Sequence, residues 1–304
     1  MVKYVLKRLL IAVATVFVLA SLTFFLMKAI PGDPFLNNKV PQSVQDLQRS
    51  YYGLDKPVLE QYATYMNNLL HGDLGTSLKK TGKTVVSIIG ETFPVSAALG
   101  LFSLFFASMI GILFGILCAQ YRGHWPDYLL MIVAVAGVAL PSMIVGPCVR
   151  FLFGVKLGWL PTTGWGTLSQ LIMPSFCLGL GLIANLTRGM RASMLSVTTQ
   201  DYIKTARAKG LTKGKIVLRH ELKNSLIPIV TNLGVSVASV MMGSFVIEKI
   251  FLIPGLGKYF VDSITTMDYP LIMGTTIFYG ALLVGMNMIV DIIYGFLDPR
   301  IRIQ

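Results

Sequence analysis

The chain has 304 residues, 54% hydrophobic and 13% charged, with a mean hydropathy of +0.68 and a formal net charge of +12. An ordinary soluble domain carries about 25% charged residues, so that class is excluded. The positive excess does not point to nucleic acid, because the basic residues gather in loops between long uncharged runs, the pattern of a polytopic protein obeying the positive-inside rule.

In chain order, Lys3, Lys7 and Arg8 precede an apolar run that continues to Met27. The run exceeds the apolar core of a signal peptide and is long enough to cross a bilayer, which gives a first span over 8–30. A mixed segment follows over 31–92, rich in tyrosine (Tyr51, Tyr52, Tyr62, Tyr65), with helical spacing at 42–52 and 57–70. This segment is expected to form a small ordered cap. Within it, Gly82-Lys83-Thr84 resembles the end of a phosphate loop, but Ser77 stands where the earlier glycine is required. No nucleotide site is read there.

The second span lies between Glu91 and Arg122, and its Gly111 and Gly115 form a GxxxG suited to close helix packing. The third lies between Asp127 and Arg150. Arg150, at its outer end, either attracts a peptide carboxylate or anchors the interface. The fourth covers 168–187, with Gly179 and Gly181 allowing close approach or bending. The fifth covers 226–247 and the sixth 271–297, where Asp291 is read as structural. Each span supplies the roughly 20 apolar residues needed to cross about 30 Å of hydrocarbon.

Charge sets the expected orientation. With both termini cytoplasmic, the inner segments hold 15 Lys/Arg and four acids, against 11 and nine outside. The inner loop 188–224 dominates, with nine basic residues and only Asp201 and Glu221 as acids. Within it Asp201 to Lys209 reads as a short helix that Gly210 stops. A loop of this size is too small for an enzyme domain and well suited to docking another protein.

No active site is legible. Cys118, Cys148 and Cys177 sit in apolar runs and read as small buried residues. His71, His124 and His220 are far apart and give no metal-ligand spacing. The expectation is a non-enzyme that holds no cofactor or metal of its own, with an all-α polytopic fold of six transmembrane helices.

The stretch 201–228, DYIKTARAKGLTKGKIVLRHELKNSLIP, resembles the loop by which ABC importer permeases dock on their ATPase subunits. With Gly210 as anchor, Lys204, Thr205 and Ala206 fall at the E-A-A positions of the general pattern. His220, Leu222 and Lys223 replace its final I-x-L-P, a departure typical of the oligopeptide, dipeptide and nickel branch. That branch favours ARAKGL, then H-x-L-x-N and a later proline, matched here by Ala206 to Leu211, His220, Leu222, Asn224 and Pro228. Pro31-Gly32-Asp33-Pro34, YGLDKP at 52–57, HGDLGTS at 71–77, IFLIPGLG at 250–257, DYP at 268–270 and LDPRIR at 297–302 extend the resemblance over nearly the whole chain.

The resemblance implies a B-type permease with the type I ABC importer fold and an extracytoplasmic insertion after the first helix. It implies a division into 1–30 (tail and first span), 31–92 (extracytoplasmic) and 93–304 (permease core with coupling loop 188–224). Asp201, Tyr202, Lys204, Thr205, Ala206, Arg207, Ala208, Lys209, Gly210 and Leu211 would then form the ATPase-docking element. The implied partners are a second, C-type permease, two cytoplasmic ATPases carrying ATP and Mg, an outer peptide-binding protein and membrane lipid, in a bacterial inner or plasma membrane. Nickel, another chelated metal or glutathione stays open as cargo, and a stand-alone secondary transporter is the rival class.

Overall fold

The computed structural model describes residues 2–30, 41–51, 53–241 and 243–297. Among them there is no strand, and one isolated antiparallel bridge joins Thr76 and Thr84. Long helices dominate because backbone polar groups in hydrocarbon must be paired within their own segment. The helices are α1 (Val2–Ala29), α2 (Gln42–Tyr51), α3 (Val58–Leu70), α4 (Val85–Gln120), α5 (Trp125–Ala139), α6 (Ser142–Val149), α7 (Leu168–Thr198), α8 (Asp201–Ala208), α9 (Lys213–Ile216), α10 (Leu222–Met241), α11 (Phe245–Ile250), α12 (Leu256–Thr266) and α13 (Tyr269–Leu297). Two π-helical stretches, Arg150–Lys156 and Val217–Glu221, continue α6 and precede α10.

Among the described residues four helices are long and apolar enough to cross a membrane: α1 from Leu6, α4, α7 and α13 to Ile289. α5 with the helix that follows it makes a fifth candidate, broken by 111° between Ala139 and Ser142. The break has a local cause. Leu140 precedes Pro141 and takes an extended conformation (φ −87°, ψ 120°), as residues before proline do. The third span expected between Asp127 and Arg150 is therefore a bent pair. The first, second, third, fourth and sixth expected spans have a counterpart among these five, and the fifth, expected over 226–247, falls on the 20-residue α10. One other expectation changes: the fourth span does not end at Thr187, since α7 runs on to Thr198. The side chain of Asp291, the PGDP stretch and most of LDPRIR lie outside the described residues.

The chain divides into two compact units. The first comprises residues 1–95 and 255–304. Here α1 packs along α13, with Gly280 leaving room for Leu19. α3 is held to α1 by aromatic stacking of Tyr65 on Phe24 (5.5 Å between centroids) and of Tyr62 on Phe25 (5.2 Å). The buried Asp268 carboxylate, just before α13, accepts the Ser77 hydroxyl and the Leu78 N–H (3.0 Å). That contact pins the loop 75–84, so much of the segment after the first span is an ordered cap.

The second unit comprises residues 96–254. Its core is the contact of α4 with α7. Ser103, Ala107, Gly111 and Gly115 recur every four residues and so form one stripe of small side chains along α4. A Cβ on Gly111 would lie 2.7 Å from Leu186 Cβ and 3.0 Å from Ile183 O, and one on Gly115 would lie 2.8 Å from Thr187 O. From the other side, a Cβ built on Gly179 of α7 would lie 3.1 Å from Ala107 Cβ. Gly100 makes a similar approach to α10, where a Cβ would lie 3.0 Å from Met241 Cα.

Because the obstacle at Gly115 includes backbone, a large side chain there must push the helices apart, and overpacking costs about 1–3 kcal/mol. Gly115→Leu is expected to lower the thermal-aggregation midpoint of the detergent-solubilised chain. Gly181→Leu, whose Cβ meets nothing within 4 Å, is expected to leave it unchanged or raised.

Candidate functional site

The candidate site is the end of α7 with α8, α9 and the start of α10. α7 extends beyond the expected membrane exit as one helix, although it carries Arg188 and Arg191. Arg191 makes this possible. Its Nε and Nη2 donate to the two carboxylate oxygens of Asp127, both at 2.7 Å. Asp127 is 2% exposed, sits in the first turn of α5 and also accepts the Gly123 N–H at 3.1 Å. The bidentate geometry and the added backbone donor satisfy a carboxylate that burial would otherwise penalise. The Ser193 hydroxyl donates to Ser225 O at 2.9 Å, tying α7 to α10.

α8 has Asp201 in its first turn and Arg207 in its last, both favourable to the helix dipole. Its inward residues, Ile203 and Ala206, are buried with Ile216 of α9 against Val197 of α7. Burying one isoleucine is worth about 1.5–3 kcal/mol. This small cluster is enough to seat an eight-residue helix that would not hold alone.

The helix ends in a Schellman turn. Gly210 N–H donates to Arg207 O (3.0 Å) and Leu211 N–H to Ala206 O (3.3 Å), with Gly210 at φ +75°. Nothing lies within 4 Å of a Cβ built at Gly210, so the glycine is required by backbone conformation and not by space.

Of the candidate docking residues, Asp201, Tyr202, Lys204, Thr205, Arg207, Ala208, Lys209, Gly210 and Leu211 are exposed together. Ala206 is turned into the cluster and holds the helix in place. Tyr202 is 43% exposed, Leu211 37% and, nearby in sequence, Leu218 68%, so apolar groups are presented among the lysines. Lys204 pairs with Asp201 at 2.8 Å, in the open and therefore weakly.

Two contacts link α8 to the start of α10. Arg207 lies 3.8 Å from the buried carboxylate of Glu221, and Asn224 Nδ2 donates to Tyr202 Oη at 3.0 Å. Glu221, Asp127, Arg191 and the Ile203 cluster were not legible as site residues. Pro126 at the start of α5 marks a helix N-terminus, but nothing in the sequence pairs Asp127 with a residue 64 positions on. Arg150 is far from this site in sequence. Its Nη1 donates to Ile250 O at 2.8 Å, at the end of α11.

Comparison with known proteins bears on what this arrangement serves. Residues 111–303 match the family described as binding-protein-dependent transport system inner membrane component. Residues 1–100 match the N-terminal family of such membrane components. The dipeptide transport system permease protein DppB of Bacillus subtilis is 43% identical over 305 residues, covering 100% of this chain and 99% of that protein. The oligopeptide transport system permease protein OppB of Escherichia coli K12 is 39% identical over 306 residues, covering 99% and 100%. A chain from the inward-facing MetNI methionine ABC transporter has the same fold, with a TM-score of 0.52 and 18% identity over 68% of this chain and 95% of that one.

Removing either partner of the Asp127–Arg191 pair is expected to cost on the order of 3 kcal/mol, because a poorly solvated charge is left behind. Asp127→Ala and Arg191→Ala should each lower the melting midpoint in detergent, and the double variant should lose less than the sum. Additive losses would show that the two side chains act independently.

Proposed function

The chain belongs to the family of inner-membrane components of binding-protein-dependent transport systems, and we propose that it is the B-type permease of an ATP-driven importer of dipeptides or oligopeptides. The observation that carries the proposal is the docking element: a short helix seated on α7 and α9, with Tyr202, Thr205, Lys209 and Leu211 facing outward. The relatives similar along the whole chain, dipeptide and oligopeptide permeases by name, support peptides as cargo.

In this reading α8 sits in a groove of a cytoplasmic ATPase, and two such ATPases bind ATP and Mg. Tyr202, Leu211 and Leu218 supply apolar contact, and the lysines and Arg207 meet acidic groups of the partner. Closure of the ATPase pair displaces α8. The seated cluster passes the displacement to α7, and the Tyr202–Asn224 and Arg207–Glu221 contacts pass it to α10. A helix set with two discrete packings converts that displacement into alternating access.

A second, related permease completes the pathway. The cap within 31–92 faces an outer binding protein, while the bond of Arg150 to the Ile250 carbonyl favours an anchoring role for that side chain over attraction of a peptide carboxylate. The nine basic residues of the loop 188–224 support a cytoplasmic side for that loop and for both termini.

Gly210→Asp tests the docking role. The aspartate must adopt φ +75°, which glycine takes most freely, and unlike asparagine it places an acid at a helix C-terminus. It meets no neighbour, so the membrane fold is untouched. Uptake of a labelled dipeptide is expected to fall about tenfold or more, which is about 1.4 kcal/mol of lost coupling, with the amount of protein in the membrane unchanged. Gly210→Asn, which tolerates this conformation, should retain most uptake. Normal uptake by the aspartate variant would contradict the docking role, and uptake of a nickel chelate or glutathione in place of peptide would overturn the cargo.

A further inference from the structure

The first unit contains a cavity of about 530 Å³ that the transport reading does not use. It lies between the C-terminal end of α1, the α2–α3 cap, the loop 73–78 and the start of α13. Its lining is divided. Phe24 and Met27 of α1 and Met273 of α13 belong to membrane-spanning helices and form an apolar wall. Lys28, Gln61 and Asn68 form a polar end.

Two groups in the lining are incompletely satisfied. Lys28, in the last turn of α1, is half-buried. Among the described residues its ammonium contacts only neutral groups, the Gln61 Oε1 that accepts its hydrogen bond and the Phe24 ring at 5.9 Å. An ammonium has three donors, so donors remain for a ligand, and a partly buried cation favours an anionic one. The Tyr65 hydroxyl is buried and has no hydrogen-bond partner among the described residues. Burial pushes its phenol pKa up, so the group is a neutral donor at any physiological pH. Buried polar groups in native proteins are normally paired, and an orphan donor beside an unneutralised cation marks a place for an acceptor.

We propose that this cavity binds the phosphate of a membrane phospholipid, with Lys28 and Tyr65 as donors and the glycerol and upper acyl carbons against Phe24, Met27 and Met273. The depth decides between a lipid and a small soluble anion. Lys28 stands at the end of a 24-residue apolar span, where headgroups lie, and the apolar wall is on the residues just inside it. A phospholipid has the same order of groups along its length. Its volume also exceeds one headgroup, as a cavity of this size within the usual 300–1,000 Å³ ligand range requires. A bound lipid would cement the cap to α1 and α13 without contacting the docking element.

The test uses the full chain in detergent with dioleoylphosphatidylglycerol in mixed micelles, read by native mass spectrometry. One lipid per chain is expected to be retained. Lys28→Gln should lower the retained fraction about tenfold and Tyr65→Phe about threefold at matched lipid, as expected for one charged and one neutral hydrogen bond. Lys56→Gln, at the rim and already paired with Glu60 at 2.6 Å, should leave retention unchanged. Should Lys28→Gln fail to fold, the single-atom deletion in Tyr65→Phe decides. Equal retention by wild type and the cavity variants would overturn the proposal. Displacement of the lipid by a millimolar dipeptide, or equally well by glycerol phosphate without acyl chains, would also overturn it by assigning the cavity to a soluble anion.

Discussion

Ser103, Ala107, Gly111 and Gly115 let the backbone of α4 approach α7 closely, and the rest of the second unit is arranged around that contact. Lipid tails are as apolar as leucine, so helices in a bilayer gain little by burying leucine against leucine. They gain by close van der Waals approach, and only small residues allow it. With α7 fixed in this way, the side chains that leave it on other faces have defined positions. Arg191 reaches Asp127 on α5 and Ser193 reaches the backbone of α10. The register of α4 on α7 thus sets where the neighbouring ends of α5 and α10 can go.

The docking element inherits that order. α8 is too short to be stable by itself, and it is held by Ile203, Ala206 and Ile216 on Val197, the last turn of α7. Its far end is closed by the Schellman turn at Gly210. A short helix fixed at its base and carrying exposed tyrosine, leucine and lysine side chains is a rigid handle. In the proposed docking role rigidity matters more than affinity, because a flexible handle would absorb a displacement before it reached α7 and α10. The first unit is built on a different principle, with aromatic stacking between α1 and α3 and the buried Asp268 clamp on the loop 75–84.

Much of this was legible in the sequence because the relevant signals are local. Helical spacing at 42–52 and 57–70 appears as α2 and α3, and the helix expected from Asp201 to Lys209 is α8, with Lys209 as its C-cap. GxxxG in the second span is a packing seam. Most of the failures are non-local. Arg188 and Arg191 read as the end of a membrane span, because charge alone marks the boundary. The partner that makes Arg191 tolerable in a continuing helix stands 64 residues earlier. The break in the third span depends on one Leu-Pro step inside an otherwise apolar run, where composition gives no warning. The cavity beside Lys28 is assembled from four separate segments, and no window of sequence contains it.

The central claim is that α8 is the surface on which an ATPase acts. A photo-crosslinking amino acid at Thr205, exposed in mid-helix, tests this in cells with the other transport components present. The account predicts a crosslink to an ATPase subunit whose yield changes when ATP is depleted, with no such product from the same group placed at Leu70 in the cap. An active transporter that gives no ATPase crosslink from Thr205 would contradict it.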